Sequence, residues 1–296
     1  MYNFIVERCI IKKAGKVSLE PGDLGLLYGF SLFETMLVRE GRAVMIRRHL
    51  ERLQESACQL HLPTIDVEIL ADKCLESIRL AGVVDGVLRL AVTAGPAEGG
   101  AGLTLLTVRE GAPYRAEQYK KGFSLCTLSF PRNEKSPLVR HKTANYLENL
   151  LGRREAQNQG YDEGLFLNSR GHVAEGAVSN IFMVRDDELI TPPAAAGLLP
   201  GIVRQLVLER AAGLGFRCRE DNFTTRDLRG ADECFLTNSL MGIMPVNSLD
   251  GVPVGSGKPE PATAALMPLY PPSCCGNPTA GRPLPGPCDI RETPPD

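Results

Sequence analysis

The chain has 296 residues, of which 43% are hydrophobic and 23% are charged, a composition typical of soluble globular proteins. The 33 basic and 35 acidic side chains give a net charge of −2, so no basic excess favours binding to nucleic acid or to an anionic membrane. No apolar run approaches the length that spans a bilayer, and residues 1–8 lack the basic start and apolar stretch of a signal peptide.

The first half of the chain predicts a small α+β domain over residues 1–112. Period-two alternation and turn signals predict its strands, and apolar side chains at helical spacing predict its helices. The helix after the first hairpins places Leu50, Leu53, Ala57 and Leu60 on one stripe. The expected strands lie at 3–6, 16–19, the second half of 26–38, 43–46, 86–93 and 102–109, and the expected helices at 47–60 and 66–81.

A polar segment with Pro113 and Gly122 predicts a linker over residues 113–122, followed by a larger domain over 123–270. From residue 271 proline, glycine and cysteine dominate, so we expect residues 271–296 to form a disordered tail. Strands outnumber helices and mostly follow hairpin turns, which favours the α+β class. In the second domain strands are expected at 123–129, 164–168, 172–174, 179–185, 188–191, 216–220, 232–237 and 243–248, and helices at 142–159, 201–214, 225–229 and 259–268.

Nine cysteines are scattered along the chain without a C-x-x-C pair. This pattern favours reduced thiols over a disulfide framework, so a cytoplasmic protein is expected. The four histidines form no metal-ligand spacing with the cysteines, and no metal site is expected.

Lys142 lies at the start of the helix predicted over residues 142–159, after a turn-prone segment at 132–137. The N-terminus of a helix carries positive partial charge, so an ammonium group is unfavourable there. Such a placement would lower the lysine pKa and help the amine to act as a nucleophile or base. The commoner alternative is an exposed lysine at a helix cap.

Three stretches have the residue types of an anion site. Ile202 and Val203 follow the glycine-flanked turn 197–201, where free N–H groups at a helix start favour a phosphate, although many ordinary helices begin with Pro-Gly. The polar turn 238–240 between two apolar strands can bind a phosphate or carboxylate oxygen, or be an ordinary loop. Arg52 lies beside the apolar stripe of its helix, either as a surface arginine or as a fork for a phosphate.

Glu175 and Asn180 lie within an otherwise apolar hairpin. A buried carboxylate needs a partner, and a protonated heterocycle would provide one. The alternative is that the two side chains bond the backbone of their own turn.

Together and in this order, these stretches resemble the class IV, or fold type IV, pyridoxal phosphate enzymes. That family includes branched-chain aminotransferases, D-amino-acid aminotransferases and aminodeoxychorismate lyases. The resemblance spans about residues 20–250. It implies a two-domain, D-amino-acid aminotransferase-like fold with a pseudo-barrel as the C-terminal domain. It also implies pyridoxal 5′-phosphate between the domains, and a homodimer in which a loop of one subunit reaches the other's site.

The resemblance implies a role for each of the singled-out residues. Lys142 would bind the cofactor covalently and then shuttle protons. Glu175 would hold the pyridine nitrogen protonated, so that the ring can act as an electron sink. Val203 stands where relatives usually carry threonine, which removes a hydroxyl contact but keeps the backbone one. The cofactor phosphate would be held by Arg52, Ile202, Val203, Ser239 and Leu240, and Asn180 and Tyr28 would line the site.

Within the family, the turn at Asn238 and the stretch around Arg140-His141-Lys142 are most similar to the lyases. Branched-chain enzymes typically have Gly-Thr-Ala at 238–240, and D-amino-acid aminotransferases carry an arginine near Ala94 that is missing here. We therefore expect a 4-amino-4-deoxychorismate lyase that yields 4-aminobenzoate, a folate precursor, and pyruvate. Arg89 is the candidate for a substrate carboxylate. The alternatives are a branched-chain or D-amino-acid aminotransferase and a non-catalytic protein on the same scaffold.

Overall fold

The computed structural model describes residues 1–7, 10–15, 19–257 and 261–271. None of the helices in these ranges is both long and apolar enough to cross a membrane. The helices are α1 Leu24–Tyr28, α2 Ile46–Gln59, α3 Val67–Ala81, α4 Ala116–Lys121, α5 Leu147–Asn158, α6 Ile202–Arg210, α7 Thr225–Arg229 and α8 Pro261–Leu266, with short 3-10 helices at Pro137–Arg140, Ala194–Ala196, Ala211–Leu214 and Met267–Leu269. The strands are β1 Tyr2–Glu7, β2 Ile10–Lys13, β3 Ser31–Arg39, β4 Arg42–Ala43, β5 Gly86–Thr93, β6 Thr104–Glu110, β7 Phe123–Thr127, β8 Glu163–Leu167, β9 Val173–Gly176, β10 Asn180–Arg185, β11 Glu188–Thr191, β12 Arg217–Glu220, β13 Glu233–Asn238, β14 Gly242–Leu249 and β15 Val252–Pro253.

The N-terminal half forms an antiparallel sheet with the strand order β2-β1-β6-β5-β3-β4. Helices α2 and α3 pack on one face of this sheet. As the apolar stripe predicts, Leu50, Leu53 and Ala57 of α2 are buried, and they share a core with Leu32 of β3. Burial of each such large side chain stabilises the fold by roughly 1.5–3 kcal/mol. At β3 the sheet also meets the C-terminal half, through a bridge between Leu32 and Thr143.

The C-terminal half forms a second sheet with the order β12-β11-β10-β13-β14-β7-β8-β9, and β15 pairs with β14. Most pairs are antiparallel, but β7 lies parallel to both of its neighbours and β12 lies parallel to β11. Helix α6 packs against β13. Its Val203 shares a core with the stacked rings of Phe182 and Phe235, whose centroids are 4.9 Å apart. The mixed helices and curled sheets confirm the α+β class.

One strand expected in the first half was placed wrongly. The hairpin partner of β1 is β2 at Ile10–Lys13, not the segment 16–19, because Ile11 pairs with Val6 and packs on the N-terminal core. Residues 16–18 lie outside the described ranges. The segment predicted as a linker contains the short helix α4, which buries Tyr119 and leaves its charged residues exposed. The domain limits stay a prediction, and residues 272–296 of the expected tail lie outside the described ranges.

The segment around Lys142 differs most from expectation. Helix α5 begins at Leu147, five residues after the lysine, because the preceding backbone pairs with β3 instead of entering the helix. The Phe33 N–H donates to the Lys142 carbonyl at 2.9 Å, and the Ala144 N–H donates to the Ser31 carbonyl at 2.9 Å. Lys142 therefore lies at the junction of the two halves, on backbone held by the N-terminal sheet.

Candidate active site

The Lys142 side chain reaches into an aromatic niche at this junction. Its Nζ lies 4.5 Å from the centre of the Phe33 ring and 5.7 Å from that of Tyr146, and the two rings meet edge to face. Burial and the positive charges of Arg52 and Arg89 together lower the pKa of Lys142 to about 8, although Glu34 and Glu175 oppose the change. The expected low pKa is thus present, but the helix N-terminus is not its cause. At pH 7 about a tenth of such amines are neutral, against fewer than about one in a thousand for an ordinary lysine.

Arg52 is held by a buried carboxylate from β3. Glu34 accepts hydrogen bonds from Arg52 Nε at 2.9 Å and from Arg52 Nη2 at 2.7 Å. A third bond, from Arg52 Nη1 to the Pro200 carbonyl at 3.1 Å, ties α2 to the turn before α6. The interpretation of Arg52 as a surface side chain is therefore wrong. Its fork lies between the two halves, next to the turn that was expected to bind an anion.

His49 completes this buried cluster. Its Nδ1 lies 2.6 Å from the Glu34 carboxylate, and its Nε2 is buried without a hydrogen-bond partner in the described residues. Although burial opposes ionisation, the charge of Arg52 and the hydrogen bonds from His49 and Arg52 hold the pKa of Glu34 at about 2. Burial lowers the pKa of His49 despite the neighbouring carboxylate. Ionised Glu34 can only accept, so the neutral imidazole of His49 donates its Nδ1–H to the carboxylate.

Glu175 is the second buried carboxylate of the site. It accepts hydrogen bonds from Arg132 Nη2 at 2.7 Å and from the Leu199 N–H at 3.0 Å. Asn180 Nδ2 donates to the Leu199 carbonyl at 2.8 Å, so both side chains bond the backbone of Leu199, which lies outside their own hairpin. Burial raises the pKa of Glu175, while the Arg132 guanidinium acts in the opposite direction. Arg132, which stacks 4.1 Å above Phe166, supplies a charge partner that the carboxylate needs.

The turn before α6 brings free backbone donors to the same junction. The first N–H groups of a helix have no intrahelical acceptor, and Gly201 caps α6 without a side-chain hydrogen bond. A Cβ at Gly201 would lie 2.0 Å from Asn180 Oδ1, so the close approach of turn and strand requires glycine. Ile202 and Val203 are the first two helical residues, and their side chains are buried. Their backbone, rather than their side chains, can meet an anion.

The turn after β13 is organised differently from expectation. Asn238 Oδ1 accepts the N–H groups of Leu240 at 2.9 Å and of Met241 at 2.8 Å. Its Nδ2 donates to the Val178 carbonyl at 3.1 Å. The donor expected from Leu240 is therefore occupied by Asn238, whose own amide joins two turns. The Ser239 carbonyl accepts a hydrogen bond from the Tyr270 hydroxyl at 2.8 Å.

The turn between Glu175 and Asn180 is held from two further sides. Glu163 Oε1 accepts the Val178 N–H at 2.8 Å, and Asn149 Nδ2 donates to the Ala177 carbonyl at 2.7 Å. Burial raises the pKa of Glu163 to about 7, although the Val178 N–H favours the ionised form. This network fixes the hairpin that carries both site residues.

The two remaining candidates lie in different surroundings. The Arg89 guanidinium carbon lies 4.0 Å above the centre of the Phe33 ring, the same ring that Lys142 contacts. Partial desolvation beside this ring lowers the pKa of Arg89, although the residue as a whole stays exposed. Tyr28 ends α1 and is 71% exposed, so the described chain leaves it open to solvent.

Sequence reasoning missed Glu34, Phe33, Tyr146 and Arg132. Glu34 had a readable signal, since it is the one charge in the apolar run 32–38, and a carboxylate buried in a strand needs a cationic partner. Arg132 had none, because it stands in a turn-prone segment that gives no indication of burial.

Residues 31–249 match the family described as amino-transferase class IV. The chain belongs to this family. Among relatives of this class IV protein, the aminodeoxychorismate lyase of Bacillus subtilis (strain 168) is 32% identical over 262 residues, covering 85% of this chain and 88% of the relative. The branched-chain-amino-acid aminotransferase of Escherichia coli (strain K12) is 30% identical over 260 residues, covering 83% and 84%. The solved PLP-bound form of a hypothetical aminotransferase from Mycobacterium tuberculosis superposes with a TM-score of 0.81 at 27% identity, covering 91% and 97%.

The class IV aminotransferases are pyridoxal phosphate enzymes, and the residues of this member fit the cofactor. A partly neutral amine, a buried carboxylate and a glycine-capped helix start converge on one junction. Lys142 would hold the aldehyde carbon, Glu175 the pyridine nitrogen, and Arg52 with the start of α6 the phosphate. The amine, the acid and the phosphate donors thus come from both halves of the chain, as the fold class predicts.

Proposed function

We propose that the protein is a 4-amino-4-deoxychorismate lyase, which releases pyruvate and leaves 4-aminobenzoate, a folate precursor. The observation that carries this proposal is that Asn238 Oδ1 accepts both the Leu240 and the Met241 N–H groups. The turn 238–240 therefore offers neither donor to an amino-acid carboxylate. An aminotransferase must hold a carboxylate on the carbon that bears the reacting amine. The amine-bearing ring carbon of aminodeoxychorismate has no carboxylate, so its enzyme does not need such a receptor.

The segment after β5 is the second place where an amino-acid carboxylate could bind, and it carries no cation. Ala94 follows β5, and residues 95–108 contain neither arginine nor histidine. On β5 itself, the Arg89 guanidinium lies against the Phe33 ring, which Lys142 also contacts. Arg89 is well placed for a carboxylate carried elsewhere on the substrate. Ordered hydrogen bonds from a guanidinium suit that group.

The bound cofactor supplies the electron sink that stabilises negative charge next to the substrate nitrogen. Lys142, with its amine free, would remove the proton from ring carbon C4 of the substrate. The C–O bond to the enolpyruvyl group then breaks, the ring becomes aromatic, and a proton returned by Lys142 to the enolpyruvyl methylene gives pyruvate. Atoms balance without a second substrate. Glu175, oriented by Arg132, would hold the proton on the pyridine nitrogen when the cofactor is bound.

The test is to supply aminodeoxychorismate to the holoenzyme without any keto acid. We expect 4-aminobenzoate and pyruvate in equal amounts, and neither product with Lys142→Ala. Amino transfer that depends on a keto acid, without 4-aminobenzoate, would instead identify an aminotransferase, the function of the relative from Escherichia coli. A wild-type protein that binds the cofactor no better than Lys142→Ala would indicate the non-catalytic alternative.

We also infer a homodimer. The end of α1 and the segment before α5 are linked by the hydrogen bond from Asn145 Nδ2 to the Gly29 carbonyl at 3.1 Å. Each exposes large apolar side chains, including Leu27 at 54% and Leu147 at 68%. A second subunit placed here would cover them together with Tyr28. Light scattering should give twice the chain mass for wild type, and Leu147→Glu should shift the mass toward the monomer.

A further inference from the structure

The open face of the N-terminal sheet carries one row of polar side chains across four strands. Thr35 of β3 is in register with Arg89 of β5, Arg89 with Thr107 of β6, and Thr107 with Asn3 of β1. Residues in register point to the same side of a sheet, so all four share one face. Their sequence neighbours Leu88, Leu106 and Phe4 point the other way and are fully buried beneath α2 and α3.

This row begins beside the reacting centre. The next row on the same face is Phe33, Ala91, Leu105 and Ile5, and Phe33 is the ring that contacts both Lys142 and Arg89. Adjacent strands lie about 4.8 Å apart, so Thr107 lies one strand beyond Arg89 and Asn3 lies two strands beyond it. The row therefore leads away from the amine along one wall of the site.

The side chains of this row remain accessible to solvent. Arg89 is exposed, and Thr35, Thr107 and Asn3 are partly exposed. The Thr107 hydroxyl lies 3.3 Å from Asn3 Oδ1 and donates to it. That bond fixes the Asn3 amide by its oxygen and leaves the Nδ2 hydrogens to donate to a ligand. A guanidinium followed by neutral donors matches carboxylate and ether or hydroxyl oxygens, and it matches a hydrocarbon side chain poorly.

We propose that Thr107 and Asn3 extend the Arg89 position into a binding subsite for the carboxylate of the substrate's enolpyruvyl group, which points away from the reacting amine. The substrate class is then a dianion with two carboxylates on one compact skeleton. This inference deepens the proposed lyase function and rests on it for the substrate's identity. Arg89 holds the charge, the Thr107 hydroxyl orients Asn3, and Asn3 donates to the outer oxygen.

The binding test uses the holoenzyme and two probes that have no amine to react. Chorismate has both carboxylates and a hydroxyl in place of the amine, whereas 4-hydroxybenzoate keeps the ring carboxylate and lacks the enolpyruvyl carboxylate. Calorimetry gives the ratio of their dissociation constants for wild type, Thr107→Val, Thr107→Ser and Asn3→Leu. The matched control is Thr104→Val, which makes the same change on β6 but on the face toward the helices, where Thr104 pairs with Val6 and Val92.

We expect wild type to prefer chorismate by at least about tenfold, and Thr107→Val and Asn3→Leu to reduce that preference about fivefold. Thr107→Ser should restore it, and Thr104→Val should leave it unchanged. An unchanged preference in Thr107→Val, an equal loss in Thr104→Val, or no preference in wild type would each overturn the subsite. A change of oligomeric mass in Thr107→Val with the preference retained would also overturn it, since the residue would then serve the subunit contact.

The turnover assay separates the two proposals. If 4-aminobenzoate forms, Thr107→Val should raise KM about fivefold while kcat stays within about twofold, because the subsite holds the substrate without touching the reacting atoms. If wild type binds chorismate through this row but forms no 4-aminobenzoate, the subsite stands and the lyase function fails.

Discussion

Glu34 and Arg52 form a two-point ion pair at 2.9 Å and 2.7 Å, with the Glu34 side chain only 1% exposed. Two strongly directional bonds fix the plane of the guanidinium. The third hydrogen bond of Arg52, to the Pro200 carbonyl, lies at the turn that precedes the start of α6. Glu34 thus positions the arginine that we expect to bind the cofactor phosphate.

Glu34→Gln should weaken the binding of pyridoxal phosphate by about tenfold or more. The amide keeps one acceptor but turns an N–H group toward the guanidinium, so the fork loses its orientation and its charge partner. Breaking a buried pair in this way also costs about 3–5 kcal/mol of folding free energy. Titration of the cofactor's visible absorbance measures the affinity, and thermal unfolding of the cofactor-free protein measures the stability separately.

The matched control for this change is Glu51→Gln, which removes an exposed carboxylate from the same helix. It should leave affinity and stability unchanged. If Glu34→Gln bound the cofactor as wild type does while Arg52→Ala lost it, Glu34 would have no part in orienting the arginine.

The amine of Lys142 should react with acylating reagents with a pH midpoint near 8 in the cofactor-free protein. Burial disfavours the ammonium form, so the neutral amine appears at a lower pH than in an ordinary lysine. Peptide mass spectrometry after brief labelling at a series of pH values measures the midpoint at this residue. A midpoint above about 10 would mean that the niche does not desolvate the amine.

Glu175→Gln should bind the cofactor but lower kcat for 4-aminobenzoate formation by about 100-fold or more. A neutral amide cannot hold a proton on the pyridine nitrogen, and a positioned acid or base typically contributes about 10²–10⁴-fold. Stopped product assays give kcat, and the visible spectrum verifies that the cofactor is bound. Glu110→Gln, at the exposed end of β6, serves as the control. A loss smaller than about tenfold would remove Glu175 from the assigned role.

Gly201→Ala should impair cofactor binding, because the new methyl group would lie 2.0 Å from Asn180 Oδ1 and must displace either the amide or the turn. We expect a fall of at least about tenfold in affinity. Gly213→Ala is the matched control, since a Cβ there meets nothing within 4 Å. Cofactor titration of both variants tests this. Equal affinities would show that the turn shifts without disturbing the phosphate donors.

Glu163→Gln should change how stability depends on pH. Burial raises the pKa of Glu163 from 4.5 to about 7, so the folded protein holds this proton more tightly than the unfolded chain. The stabilisation from this proton is complete below about pH 4.5 and is lost as the pH rises through about 7. Between pH 5 and pH 8, wild type should lose about 2–3 kcal/mol relative to the glutamine variant. Urea unfolding at the two pH values measures the difference, and parallel curves would contradict the prediction.

Periodicity predicted most elements of the fold, including the buried stripe of α2 and the hairpin that carries Glu175. The start of α5 was predicted wrongly, since local propensity does not reveal that residues 142–144 pair with β3, more than a hundred positions earlier. The same limit applies to Arg132, whose partner Glu175 is 43 residues away. Asn238 shows a different limit, because an asparagine can equally well contact a ligand or hold the backbone of a turn. Only its hydrogen bonds to Leu240 and Val178 decide between these roles.

The backbone of Lys142 is hydrogen-bonded to β3, although the lysine itself belongs to the later half of the chain. A polypeptide cut between Gly111 and Arg115 would thus leave Lys142 and Glu175 on one fragment, and β3 and Arg52 on the other. The later fragment alone would have its nucleophile on a stretch without a partner strand. Yellow colour from the bound cofactor would then report that the two pieces have rejoined, and the enzyme would work as a split reporter of its own assembly.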